Sequence, residues 1–263
     1  MSTHTDGYRA PSEVTMAELF PNHDGLRPLA VGDLIGRQID VSFEEGSQVS
    51  LKFTADAVTI EVSTYGSWLF LAGTLPCEVI PVRADCLAAT IHDGRNHASY
   101  LVFFDFAESR TFIARTQMLA GPSGVGESTR FFQGGFNGAS YKPFEKSSDL
   151  VGKRVYWRYS ESHQFEHIYI EPNRYCWHGI TGPEAGMGGV EPCSTYKVGD
   201  DLYLFSWSDA SVAFNGSILV NTKGGGISSC GRLFGWERAE QQGWQLVIGA
   251  EGMLLNETTY PGR

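Results

Sequence analysis

The sequence predicts an all-β protein made of two tandem antiparallel β-barrels that arose by internal duplication, and three observations carry that reading. First, short apolar–polar alternation runs from Asp33 onward and is broken by Gly, Asn and Asp turns, the pattern of half-buried antiparallel strands. Second, Asp33-Leu34-Ile35-Gly36-Arg37-Gln38-Ile39 recurs as Asp149-Leu150-Val151-Gly152-Lys153-Arg154-Val155, an offset of 116 residues. Third, Cys77 and Cys193 are also 116 apart, and Cys86 and Leu202, each nine residues further on, are both apolar. A period of this length means two domains of one fold. Repeated hairpins leave unpaired edges unless the sheet closes, which favours up-and-down barrels, and about 115 residues per copy suits seven or eight strands of about six residues each.

Taken in order, residues 1–32 hold Pro11, Pro21 and Pro28 around one helix-compatible stretch, Ser12–Phe20, and are expected to form an N-terminal arm over a barrel end. Residues 33–119 are expected to form the N-terminal β-barrel domain. In its first strands Ile39, Val41 and Phe43 alternate with Asp40 and Ser42, Val49, Leu51 and Phe53 with Ser50 and Lys52, and Val58, Ile60 and Val62 with Thr59 and Glu61. Residues 120–148, rich in Gly and Ser, are read as the linker, with Phe131, Phe132, Phe136, Tyr141 and Phe144 packing parts of it down. Residues 149–263 form the C-terminal β-barrel domain that is expected to carry the site, and Trp244–Ile248 adds one more strand to it. Within the linker, Gly121–Ser128 has the glycine spacing of a phosphate loop, but Glu127 stands where the phosphate-reaching lysine belongs, so nucleotide binding is not expected.

Composition narrows the function classes. The 263 residues are 42% hydrophobic and 19% charged, enough for two modest cores. A net charge of −10 makes the average surface repel a phosphate backbone, so nucleic acid is not an expected partner. No stretch approaches the roughly 20 apolar residues of a membrane span, and Met1–Asp6 lacks the plan of a secretion signal, so a cytoplasmic protein with no membrane partner is expected. Five cysteines without a CxxC or CxxH pair read as reduced thiols. Homodimer formation is left open.

Subtracting one copy from the other locates the site. Carried across the offset, the inward residues Ile39, Val41 and Phe43 become Val155, Trp157 and Tyr159, and Val49, Leu51 and Phe53 become Phe165, His167 and Tyr169. Val58, Ile60 and Val62 become Arg174, Cys176 and His178, while Leu87, Ala89 and Ile91 become Tyr203, Phe205 and Trp207. One interior is aliphatic; the other gains imidazoles, a guanidinium and polar-tipped rings. An unpartnered buried polar group costs about 1–3 kcal/mol, so several in one interior point to a ligand cavity, although a single inward Tyr or His is more often a satisfied core residue.

The chemistry such a cavity offers is acid–base and electrostatic. His167 and His178 titrate near neutrality in water and would shuttle protons, with Tyr159 and Tyr169 donating to a developing oxyanion. These four are the candidate catalytic residues. Arg174 would orient a carboxylate or enolate oxygen, or else point to solvent. Trp157, Cys176, Tyr203, Phe205 and Trp207 complete the substrate-binding set, as apolar walls for a small hydrophobic or aromatic molecule. A zinc or copper ion on His167, His178 and Cys176 is the rival use of the same groups, but no inward carboxylate joins them and Glu166 points outward, so no metal or cofactor is expected. The resulting expectation is a cofactor-independent lyase, isomerase or cyclase, or alternatively a non-catalytic carrier of a small hydrophobic molecule.

Five segments also carry a family resemblance. Asp149–Val155, Phe165-Glu166-His167-Ile168-Tyr169-Ile170, Asn173-Arg174-Tyr175-Cys176-Trp177-His178 and Asp201-Leu202-Tyr203-Leu204-Phe205-Ser206-Trp207 resemble the C-terminal domain of the MoaF family, and Gly231–Gly235 resembles its closing motif. The resemblance implies two lipocalin-like (calycin) barrels. It implies no particular reaction, since the family has none generally established. Phenolic acid decarboxylases, which place tyrosines inside a small barrel without a cofactor, are an analogy of fold alone.

Overall fold

A computed structural model describes residues 32–64, 72–121, 124–209, 213–238 and 240–259. The expected arm, residues 1–31 with its helix-compatible stretch, lies outside the described residues. No helix among the described residues is long and apolar enough to cross a membrane.

Eight strands close the first barrel: β1 (Gln38–Phe43), β2 (Gln48–Phe53), β3 (Ala57–Thr64), β4 (Gly73–Arg83), β5 (Cys86–Asp93), β6 (Ala98–Asp105), β7 (Arg110–Gly121) and β8 (Gly124–Phe136). Each pairs antiparallel with its successor, and β8 returns to β1 through Val41 opposite Phe136. Residues 120–148 are therefore not a free linker. They contribute β8, which closes the barrel and points Phe132 and Phe136 into its core. The Gly and Ser content that reads as a linker averages over both faces of this strand and hides its alternation.

The second barrel repeats the plan with β10 (Lys153–Arg158), β11 (Gln164–Glu171), β12 (Arg174–Thr181), β13 (Gly188–Gly199), β14 (Leu202–Ser208), β15 (Phe214–Asn221), β16 (Ile227–Glu237) and β17 (Gln242–Glu257). Pairing of β10 with β17 and of β12 with β13 closes the ring, and a two-residue strand, β9 (Glu145–Lys146), attaches to β13. The duplication is thus structural: Cys77 faces Ile91 on the neighbouring strand as Cys193 faces Trp207.

The first interior is mainly aliphatic, built on Ile39, Val41, Leu51, Val58, Ile60 and Ile91. Tyr100 and Arg115, paired across β6 and β7, are among its polar residues, with Asp93 and Thr111.

A third core lies between the barrels. Ile80, Leu101, Phe103 and Phe112 from the outer wall of the first pack against Leu202, Leu204, Leu219 and Val247 from the outer wall of the second. This is why β6 is buried at every position: one face looks into its barrel, the other into the neighbour. Polar links border the contact. Arg83 donates to the carbonyls of Asp200 (2.5 Å) and Asp201 (3.0 Å) and to Asn221 Oδ1 (2.7 Å). Arg232 is wholly buried and donates to Asn215 Oδ1 (2.5 Å) and Thr116 Oγ1 (2.7 Å). Burial pushes its guanidinium down to about 9, against the pull of the Glu127 charge.

Candidate functional site

The interior of the second barrel is built on alternating strands, so which residues line it depends on the register of each strand. On β10, β11 and β14 the expected residues point inward: Trp157, Tyr159, His167, Tyr169, Tyr203, Phe205 and Trp207 are all buried there. On β12 the parity is reversed. Tyr175 and Trp177 face the interior, while Arg174, Cys176 and His178 lie on the outer wall.

The cause is one inserted residue. Phe53 pairs with Val58 in the first barrel, five positions on, but Tyr169 pairs with Tyr175, six positions on. The extra residue makes a β-bulge at Ile170, because Tyr169 faces Tyr175 and Glu171 already faces Arg174. The offset becomes 117 on this strand, and every side chain changes face. Arg174 is exposed and bonds only the adjacent Asn173 carbonyl among described contacts, so it cannot orient a substrate in the barrel. His178 is exposed, with Nδ1 at 3.6 Å from Glu166 Oε2, and cannot shuttle protons inside. Glu166 points outward as expected, yet it is buried on that wall, where it also holds Arg154. Cys176 Sγ lies 3.7 Å from the Trp177 carbonyl on the same outer wall.

His167 stands at the centre of the interior, ringed by Tyr175 (5.1 Å between ring centres), Trp207 (5.8 Å), Trp157 (6.1 Å), Tyr169 (6.1 Å) and Phe205 (6.3 Å). Burial pushes its imidazole down to about 3. It is therefore neutral throughout the physiological range and gives or accepts a hydrogen bond rather than cycling a proton, which corrects the expectation of titration near neutrality. Burial likewise holds the Tyr159, Tyr169 and Tyr175 phenols in their protonated form. The Cys193 thiol is pushed up to about 12 and is unreactive. Tyr203 differs from the other phenols, since its hydroxyl donates to Asp149 Oδ2 (3.0 Å) at the far end of the barrel.

Among the described residues, the polar atoms of this interior without a hydrogen-bond partner include His167 Nδ1, Tyr169 OH and Trp157 Nε1, which lie together among the rings, and Ser229 Oγ on β16. The Trp157 indole favours the Tyr169 phenolate but stays outside hydrogen-bond geometry. Close packing adds to the cage, because Trp207 lies where a side chain at residue 216 would be; a Cβ on Gly216 would come within 2.1 Å of its ring.

Two carboxylates of the second barrel, Glu191 and Glu184, lie outside the four strand pairs compared in the sequence. Glu191 is buried on β13, opposite Tyr175, and its Oε1 lies 3.4 Å from Trp177 Nε1. It stands 116 residues after Leu75, an inward core residue of the first barrel, so the same subtraction extended to β4 finds it. Glu184 sits in the turn between β12 and β13, which folds back over the strand: Gly179 N donates to Met187 O and Gly186 N to Gly179 O, both at 2.8 Å. A Cβ at Gly179 would lie 2.1 Å from Glu184 O, so only glycine admits this fold-back. Burial, helped by the charge of Asp209, pushes the Glu184 carboxyl up to about 7.

A carboxyl raised in the folded state contributes stability that is full below its unfolded value of 4.5 and is lost as pH rises through about 7. Glu184→Gln is therefore expected to flatten the fall in stability between pH 4.5 and 7. Urea unfolding at pH 5 and pH 8 checks this, and an unchanged slope would contradict it.

Among the described residues, no three His, Cys, Asp or Glu side chains come together as a metal-binding group. Residues 144–258 match the family model described as the MoaF C-terminal domain. Protein MoaF of Klebsiella aerogenes is 30% identical over 112 residues, and the match spans 42% of this chain and 42% of that protein. A crystal structure from Burkholderia vietnamiensis, provisionally described as a beta-lactamase, is 18% identical and covers 42% of this chain and 99% of its own, with a TM-score of 0.34.

Proposed function

We propose that this chain, whose second barrel belongs to the MoaF C-terminal domain family, binds a small aromatic or unsaturated molecule inside that barrel. The observation that carries this reading is the set of three unpartnered polar atoms on Trp157, His167 and Tyr169 within one aromatic cage. Each costs about 1–3 kcal/mol when left unsatisfied, and a ligand with an acceptor oxygen or nitrogen relieves all three at once. Trp157 and Tyr169 supply donors, neutral His167 supplies either role, and the surrounding rings supply apolar contact. The setting is the cytoplasm, in keeping with five free cysteines.

A catalytic use of the same barrel is the second reading, and Glu184 favours it. Its carboxyl, at about 7, exchanges a proton at neutral pH, which buried His167 and the phenols do not. Cofactor-independent lyase, isomerase or cyclase chemistry would then run from the mouth, with Tyr159 and Tyr169 as hydrogen-bond donors.

Binding is tested by titrating indole, phenol and cinnamate against the fluorescence of the barrel tryptophans. We expect a saturable change with at least one compound. Tyr169→Phe, which installs the residue found at the equivalent Phe53, should weaken it by about fivefold or more while leaving the melting temperature equal or higher. No saturable change with any aromatic compound would overturn the reading.

A further inference from the structure

Two of the unpartnered groups in the second barrel are hydrogen-bond donors standing side by side, and that pairing specifies what would answer them. Trp157 is 0% exposed and Tyr169 2%, and neither Trp157 Nε1 nor the Tyr169 hydroxyl has a partner. They are close enough for the indole N–H to favour the phenolate form of the tyrosine without bonding to it. An indole nitrogen only donates. Burial keeps the Tyr169 phenol protonated, so it too has a hydrogen to give. The fold itself does not call for either donor, since the equivalent places in the first barrel hold the buried apolar residues Val41 and Phe53. Two adjacent donors are satisfied together by one oxygen with two lone pairs and no hydrogen of its own. A carbonyl oxygen is such an acceptor, whereas a hydroxyl brings a further hydrogen that needs a place.

Charge narrows the class further. Among the described strand residues of inward parity, the cations of the second barrel are Lys153 and Lys197, and these are bound to Glu257 and Asp149. Arg154 and Arg158 belong to the outer wall, where Glu166 holds the first and Glu161 and Glu251 the second. His167 is neutral, so it offers its Nδ1 to a ligand in either role but no charge. A carboxylate taken into this cage would be buried without a counter-charge, a cost that two hydrogen bonds do not return. An ammonium only donates and would leave Trp157 Nε1 unanswered. The apolar part of the site is flat and aromatic: the Phe205 ring lies 5.1 Å from those of Tyr169 and Tyr175 and stacks on Trp207 at 5.4 Å.

Resting on the binding reading above, we infer that the ligand of the second barrel is an uncharged aromatic or conjugated carbonyl compound, of the aryl ketone type, whose carbonyl oxygen accepts from both Trp157 Nε1 and the Tyr169 hydroxyl.

The test uses three molecules of nearly one shape on the full chain at pH 7: acetophenone, α-methylstyrene, in which a CH₂ replaces the carbonyl oxygen, and benzoate, in which a charged oxygen replaces the methyl group. Calorimetry is expected to show acetophenone binding about tenfold tighter than α-methylstyrene, with benzoate the weakest of the three. Tyr169→Phe should reduce the preference for acetophenone over α-methylstyrene to about threefold or less, and leave the affinity for α-methylstyrene within about twofold of the parent. Should that variant fold poorly, the infrared carbonyl band of acetophenone bound to the parent serves instead. Two donors should move it to lower frequency than in hexane, and an unshifted band overturns the inference. Equal or tighter binding of α-methylstyrene overturns the carbonyl assignment, and equal or tighter binding of benzoate overturns the uncharged class. Either result leaves the aromatic pocket standing, as does failure of all three compounds while indole or phenol binds, which overturns this inference alone. Failure of these three and of the aromatic titration above overturns both.

Discussion

His167→Leu is expected to stabilise the protein and to erase its ligand binding. The substitution installs the residue of the first barrel, since Leu51 occupies the equivalent place, and leucine fills a similar volume among the five rings. It removes a buried Nδ1 that no group satisfies, a gain of about 1–3 kcal/mol in unfolding free energy at pH 7. The gain should grow in acid. With its imidazole at about 3 when folded and 6.5 when unfolded, His167 favours the folded state fully above pH 6.5 and loses that contribution as pH falls toward 3. The variant has nothing to lose there, so the gap should widen by about 1.4 kcal/mol per pH unit below 6.5. Urea titrations at pH 7 and pH 5 read both effects. A less stable variant at pH 7 would show that the imidazole is already satisfied in solution and that its nitrogen calls for no ligand.

That one substitution separates stability from function because duplication supplies its own reference state. Much of this was legible in the sequence. The constant offset located strands β1, β2 and β5 and their counterparts, and with them Trp157, Tyr159, His167, Tyr169, Tyr203, Phe205 and Trp207 in one interior. It failed on β12, where a single bulge residue changes no composition but reverses every side chain. The strand itself held the warning: Tyr175 and Trp177 alternate with Arg174, Cys176 and His178, and the apolar parity is the inward one. Glu191 was within reach of the same subtraction, through Leu75. Glu184 was not, because its place depends on a turn folding back over Gly179, a tertiary contact without periodicity.

The contact between the barrels was legible only by half. Leu101-Val102-Phe103-Phe104 in β6 and Leu202-Tyr203-Leu204-Phe205 in β14 are continuous apolar runs, which mean burial on both faces. Such a run does not say what covers the second face. The structure answers that the two barrels cover one another, and this has a large energetic consequence. Leu204 is fully buried in the shared core with Leu202, Leu219 and Val247 beside it and Phe103 and Phe112 across from it. Leu204→Ala should cost about 2–5 kcal/mol by the cavity it opens. Leu204→Asp should cost more than about 4 kcal/mol, because an unpaired carboxylate must be buried or the interface must open to water. Opening is the cheaper response, since each barrel keeps its own closed sheet and interior core. Calorimetry of the parent is accordingly expected to show one cooperative transition, and of Leu204→Asp two, with the second barrel melting at the lower temperature because it retains the unsatisfied groups of the cage. A single transition within about 1 kcal/mol of the parent would mean that the barrels are joined by less than the shared core requires.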